Sequence, residues 1–377
     1  MKLIVYSIPI FFVLIALEII YAQVRKSPLY RFTDAISNIN CGILQQSIGA
    51  LMKTLLIVGY IYVYNNWRVV TIPDHWLSWI ALFISVDFFY YWFHRYAHEI
   101  NIFWGTHVVH HQSEEYNLSV ALRQSTFQSL VSTWFYLPLA FLGFSPVTFF
   151  VIATLQTLYQ FWIHTRVIDK MPSWFEYVFN TPSHHRVHHG RNPKYIDKNH
   201  GGTLILFDRW FGTFQAEEEE VVYGVTTPLR TWNPVWANFD YYRTLWREIQ
   251  KMPTLLDKLK LLIKKPGWRP VSIGGSVDVP VPDPKDRIRL RSFNAIGVYY
   301  YVGVQFLFLL GIASFYLNAF QNLSDGMIAL LAVFIVWSIL NINFLLEQKK
   351  IAIPLEIPRI LFQCYVLYQI FSVSTLL

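Results

Sequence analysis

Seven stretches of this chain are apolar over lengths that matter, and polar residues are concentrated between them. Residues 3–22 (LIVYSIPIFFVLIALEIIYA) are long enough to cross a hydrocarbon core of about 30 Å. Arg25, Lys26 and Arg31 follow, and their charge places that end in the cytoplasm. A signal peptide is the competing reading, but the run is too long for one and only Lys2 precedes it. A second span covers 41–64, and a third covers 76–93 and runs straight into His94. Residues 128–163 are too long for one helix and are punctuated by Pro138, Gly143 and Pro146, which predicts a helical hairpin that dips into the membrane and returns. Residues 165–290 are far more polar. Three further spans, at 294–317, 326–345 and 355–377, close the chain, with Lys349 and Lys350 between the last two.

This pattern predicts an all-α polytopic membrane protein with about eight transmembrane or hairpin helices and a cytoplasmic, histidine-rich catalytic cap at 165–290. Residues 1–290 form the expected catalytic domain and 291–377 a C-terminal three-helix region. Composition agrees: the chain is 54% hydrophobic and 15% charged, too apolar for a soluble core to absorb. The net charge of +7 comes from Lys and Arg scattered around the apolar runs, with no basic stripe among stacking aromatics, so nucleic acid is not an expected partner. Cys41 and Cys364 give neither a disulfide framework nor a thiolate metal motif.

Within the polar region, the run Glu217 to Glu220 reads as a solvated turn. Residues 236–264 read as two helices broken near Pro253, with apolar faces set either on the bilayer surface or against the rest of the cap. Pro266 to Pro284 reads as an irregular connection to the last three spans.

The histidines change the picture most. Nine of the twelve form a spaced pattern: His94 and His98; His107, His110 and His111; His164; His185, His188 and His189. Residues three and four apart share a helix face, so each box is expected to present its imidazoles in one direction. Nine nitrogen ligands are too many for one ion and suit two. A closed structural zinc site takes four ligands and usually includes cysteine. A zincin protease needs H-E-x-x-H, and after His98-Glu99 the second histidine position is Ile102. Paired Glu-x-x-His helices of the ferritin type are absent. A histidine-rich di-iron centre for oxygen chemistry remains. His75 and His200 have no partner at metal spacing and are not expected to ligate, and His184 is turned about 100° from its neighbour on a helix. Asp87 lies inside the third span, where an ionisable group is costly and points to function. Two helical turns put it on one stripe with Tyr91, His94 and His98, where its carboxylate is expected to accept the spare N–H of a ligating imidazole.

These strings resemble the membrane fatty acid hydroxylase and sterol desaturase superfamily, with its H-x-x-x-H, H-x-x-H-H and H-x-x-H-H boxes. His94 to Asn101, the runs His110–Leu118 and Ala121–Ser125, and Thr181 to Pro193 are similar to its alkylglycerol monooxygenase branch. The resemblance implies two non-haem irons held by His94, His98, His107, His110, His111, His185, His188 and His189, with His164 as an additional ligand. It implies O2 as a reactant, a lipid C–H bond as target and an external electron donor, tetrahydrobiopterin in this branch. Glu99 matches a functional glutamate and is taken as catalytic, through cofactor contact, proton delivery or a hydrogen bond to a ligand. His184 and Asn199 are taken as support around the ligands, Asn199 together with Asp208 to Phe214. The expected reaction hydroxylates the carbon next to an ether oxygen and releases a fatty aldehyde; hydroxylation or desaturation of a sterol, fatty acid or carotenoid is the alternative, and a metal or lipid carrier a third reading.

Overall fold

The computed structural model describes residues 2–282, 290 and 295–374. Among them the regular elements are helical, with two isolated β-bridges and no strand. The first half runs α1 (Lys2–Val24), α2 (Phe32–Trp67), α3 (Trp76–Glu99), α4 (Asn101–His111), α5 (Gln128–Leu142) and α6 (Pro146–Trp162). Shorter helices follow: α7 (Ser173–Val178), α8 (Pro182–His188), α9 (Leu206–Trp210), α10 (Pro234–Lys251) and α11 (Leu255–Ile263). The chain ends in α12 (Ile296–Ala319), α13 (Asp325–Leu346) and α14 (Ala352–Ser374). Among the described residues, four helical stretches are long and apolar enough to cross a membrane: Tyr6–Val24, Trp76–Glu99, Ile296–Asn322 and Asp325–Leu346.

Local chemistry explains the boundaries. α3 begins at His75, whose Nδ1 accepts the Leu77 N–H at 3.3 Å while Ser78 Oγ accepts the His75 N–H at 3.1 Å, a reciprocal cap. Instead of a ligand, His75 is therefore a helix starter. α3 ends where Ile100 becomes extended, and α4 starts one residue later. That bend folds the first histidine box onto the second. The 128–163 hairpin turns at Gly143, whose φ of 104° suits glycine; a Cβ there would sit 1.8 Å from the Val70 carbonyl. Pro138 lies inside α5 without ending it, so the turn rests on the Gly143–Pro146 segment alone.

α2 starts at Phe32, well before the apolar run from 41. Its 36 residues make a rod of about 54 Å at 1.5 Å per residue, longer than a bilayer core. The extra turns carry Asp34, Ser37 and Asn38, all buried, and these hold the segment that follows α4. Ser113 donates to Asp34 at 2.8 Å, and Arg123 donates to Ser37 and Asn38, each at 3.2 Å.

α12, α13 and α14 share a hydrophobic core with α2, built from Val302, Leu309, Phe334 and Ile339 against Ile36, Ile43 and Leu44. The expected domain boundary at 290/291 and the end of the Pro266–Pro284 connection fall on 283–289 and 291–294, outside the described residues. So do the last residues of the 355–377 span. α10 and α11 break at Pro253 as the pattern predicts; Leu245, Met252 and Leu261 pack together, while Trp246, Leu255, Leu256 and Leu259 remain exposed. Packing against the rest of the cap therefore accounts for part of their apolar residues, and the others are exposed.

Candidate metal centre

The histidines converge from α3, α4, the end of α6 and α8 into two buried groups. His94, His98, His107, His111 and His188 form one, and His110, His164, His185 and His189 the other; within each, one ligand atom per residue lies within 4.8 Å of all the rest. Every ring is buried. The boxes do not each face one way. Residues four apart stay together, His107 with His111 and His185 with His189, while the intervening His110 and His188 turn to the opposite group. Adjacent helical residues point about 100° apart, so each H-H doublet straddles the two groups.

The outward nitrogens explain why the inward ones are available. His94 Nδ1 is 2.8 Å from the His200 carbonyl, His107 Nδ1 2.9 Å from Gln128 Oε1, and His110 Nδ1 2.9 Å from the Arg123 carbonyl. His164 Nδ1 is 2.7 Å from the Gln160 carbonyl, and His188 Nδ1 3.0 Å from the Lys198 carbonyl. Each acceptor requires a proton on Nδ1 and leaves a lone pair on Nε2. Those lone pairs face one another: His94 and His107 Nε2 are 2.9 Å apart, and His164 and His110 Nε2 are 3.2 Å apart, with His185 Nε2 3.0 Å from His164 Nε2. Two lone pairs cannot bond each other. His98, His188 and His189 also have an Nε2 with no hydrogen-bond partner. The donor set fits two cations, one per group. Burial pushes His107 and His164 down to about 4 and holds His111, His188 and His189 well below the usual imidazole range, so the rings are neutral and able to ligate at ordinary pH.

Asp87 departs from expectation. Its carboxylate meets no imidazole; it accepts the Thr203 N–H at 2.8 Å and the Leu204 N–H at 2.7 Å. Gly202 makes this close approach possible, since a Cβ there would lie 2.7 Å from Asp87 Oδ1. Asp208 binds the same loop through the N–H groups of His200 and Gly201, both at 2.7 Å. The two carboxylates therefore hold a loop, and the loop carbonyl at His200 holds His94. Asn199 works similarly: its Nδ2 donates to the His184 and Gln215 carbonyls at 3.0 and 2.7 Å. His184 is buried but outside both groups, its ring 5.4 Å from that of Phe214.

Glu99 lies outside both groups as well. It meets Arg95 at 3.4 Å and Lys265 at 3.3 Å, and Lys265 also reaches Asp197 at 2.9 Å. Asp197 Oδ1 stands 4.0 Å from His98 Nδ1, so Glu99 reaches the centre only through this chain and makes no hydrogen bond to a ring. Glu217 also corrects the reading of its acidic run. Glu218 to Glu220 are exposed, but Glu217 accepts from buried Arg186 at 2.6 Å, anchoring α8 between two box histidines. Gln128, Arg123 and Asp197 were not singled out by the sequence pattern. Gln128 is a polar residue opening an apolar run, which was the available signal.

A cavity of about 350 Å³ reaches the centre from the apolar side. His107, His110 and His164 line one end; Phe11 and Phe12 of α1, Ile43 of α2, Phe161 of α6 and Leu310 and Leu317 of α12 give apolar wall, and Gln45, Gln46, Gln124, Gln128 and Gln160 add neutral polar groups. Thr165 donates to Glu18 of α1, which sets that residue level with His164. Ile8, also on the wall, is ten residues away, so the cavity extends about 15 Å along α1.

The Fatty acid hydroxylase family model matches residues 79–213, which contain both histidine groups. Over 360 residues the chain is 40% identical to alkylglycerol monooxygenase of Homo sapiens, covering 94% of this chain and 80% of that protein. The chain belongs to the alkylglycerol monooxygenase family. The Danio rerio and Xenopus tropicalis alkylglycerol monooxygenases are 39% and 36% identical, each over 93% of this chain and 79% of theirs. No solved structure matches. Alkylglycerol monooxygenase similarity extends well past the histidine boxes into the C-terminal helices, where α12 supplies part of the cavity wall.

Proposed function

We propose that this chain is an O2-dependent di-iron monooxygenase that hydroxylates an ether lipid at the carbon next to the ether oxygen. The observation that carries the reading is the junction of two imidazole groups with a cavity whose lining holds no Asp, Glu, Lys or Arg among the described residues. Such a cavity accepts an alkyl chain and excludes water from the reacting carbon. The eight box histidines and His164 would hold the irons, His94, His98, His107, His111 and His188 one of them, and His110, His164, His185 and His189 the other. Bound iron supplies oxygen activation. The protein fixes imidazole tautomers through Gln128 and the carbonyls, and holds the alkyl chain against His107, His110 and His164. One oxygen atom enters the C–H bond and the other leaves as water with two electrons and two protons from an external donor. The hemiacetal formed breaks its C–O bond, giving a fatty aldehyde and a free glycerol hydroxyl.

Tetrahydrobiopterin is the proposed donor, and the Glu99–Lys265–Asp197 cluster, on the solvent side of His98, is the proposed place of its contact. α1, α2, α3, α5, α6, α12, α13 and α14 are the eight proposed spans or hairpin limbs. The basic residues Arg25, Lys26, Arg31, Lys349 and Lys350 support a cytoplasmic active site. Iron-loaded full-length protein incubated with an alkylglycerol, O2 and tetrahydrobiopterin should release one fatty aldehyde per ether consumed. No aldehyde under these conditions would sink the proposal.

A further inference from the structure

His200 stands beside the five-histidine group and belongs to neither group. Its side chain is fully buried, at 0% exposure; the Asp197 backbone lies against its ring, but neither ring nitrogen has a partner in good hydrogen-bond geometry. Its ring centroid lies 5.2 Å from that of His98, 5.6 Å from His94 and 5.8 Å from His188. Neighbouring rings within the group are themselves 4.3 to 6.4 Å apart, so His200 sits at the spacing of a neighbour.

Its backbone leaves little freedom. The N–H is held by Asp208 at 2.7 Å, the carbonyl by His94 Nδ1 at 2.8 Å, and Asn199 before it has φ 56°. The ring is thereby held beside the imidazoles by a loop that two buried carboxylates fix. A buried imidazole without a well-formed hydrogen bond is costly, and structural packing alone would favour an apolar ring there.

We infer that His200 hydrogen-bonds a small ligand, such as water or an anion, held beside the five-histidine group. This rests on the reading of the two groups as an iron pair. The role is contact with the exogenous ligand; it is not a tenth metal ligand.

Azide titration of the oxidised, iron-loaded full-length protein in detergent tests it, read by the azide charge-transfer absorbance and by iron per chain. His200→Phe keeps the ring and removes both nitrogens. It should retain two irons per chain and bind azide about tenfold more weakly, the size of one lost hydrogen bond to a charged group; His200→Gln should recover part of the affinity. Wild-type azide affinity in both variants at full iron content would overturn the inference and leave the di-iron reading standing. Loss of one iron from His200→Phe, with its metal-free form melting like metal-free wild type, would make His200 a ligand and also overturn it. If His200→Phe fails to fold, His200→Gln decides by the same readings. Wild-type protein that binds no iron would remove the di-iron reading itself.

Discussion

The five-histidine and four-histidine groups share two elements, differ in a third, α3 for the first and the end of α6 for the second, and face different surroundings. α4 and α8 contribute to both, because each H-H doublet divides between them. Around the first group lie Trp104, with its ring 4.8 Å from His98, then His200, Asp197 and Lys265, a polar route toward solvent. Around the second lie Tyr116, with its ring 5.2 Å from His189, and the cavity, which His110 and His164 line together with His107 of the first group. The contrast points to two directions of approach, with small polar molecules meeting the first group from the Lys265 side and the lipid lying against the second group and His107. A pair of identical box motifs thus acquires direction from what is packed outside it.

The harshest way to break the comparison is to remove one group. His185→Ala takes a ligand from the four-histidine group only, and should leave about one iron per chain and abolish aldehyde release. Metal analysis beside the aldehyde assay checks it, with iron added back because zinc competes at nitrogen sites. Two tightly held irons in this variant would mean that the groups do not each hold one ion.

Gln128→Ala leaves every ligand in place and removes the acceptor on His107 Nδ1. Losing such an outer partner typically costs about 10- to 100-fold in metal affinity or activity. The deficit should appear as weaker iron binding at the five-histidine group, measured by competition with a chelator. Unchanged iron affinity would show that the ring is oriented by packing alone.

The sequence exposed the parts that local periodicity encodes. Apolar runs predicted α1, α3, α12 and α13 closely, and the i, i+3, i+4 spacing picked out eight members of the two groups, with lone His164 counted beside them. The missing information was tertiary. No local signal says that Asp87 holds the 203–204 backbone, that Glu217 leaves its acidic run to pair with Arg186, or that His200 arrives beside His98 from a hundred residues away. Glu18 was legible: it is an ionisable residue inside the first apolar run, where such a group asks for an explanation. In the fold it accepts from the Leu118 N–H at 2.8 Å and from Thr165 and Tyr30, docking α1 beside His164. The start of α2 was missed because Asp34, Ser37 and Asn38 look like a loop until Arg123 and Ser113 are packed against them.

The mildest test concerns the lipid side. Ser314 of α12 lines the cavity, and it stands on the wall distant from the histidines: Tyr316, two residues on, donates to the Ser47 carbonyl, deep along α2. Ser314→Phe adds a ring to the far end without touching either group. A long alkyl chain must then lose contacts or retreat from His110 and His164, while a short one keeps its place. We expect kcat/KM to fall about tenfold for long-chain alkylglycerols, the order that a few lost methylene contacts produce, with short-chain substrates and iron content unchanged. An equal fall for both chain lengths would place the alkyl chain elsewhere. Since α12 lies outside the histidine-bearing half, a chain-length effect would also show that the C-terminal helices shape substrate choice and do more than anchor the enzyme in the bilayer.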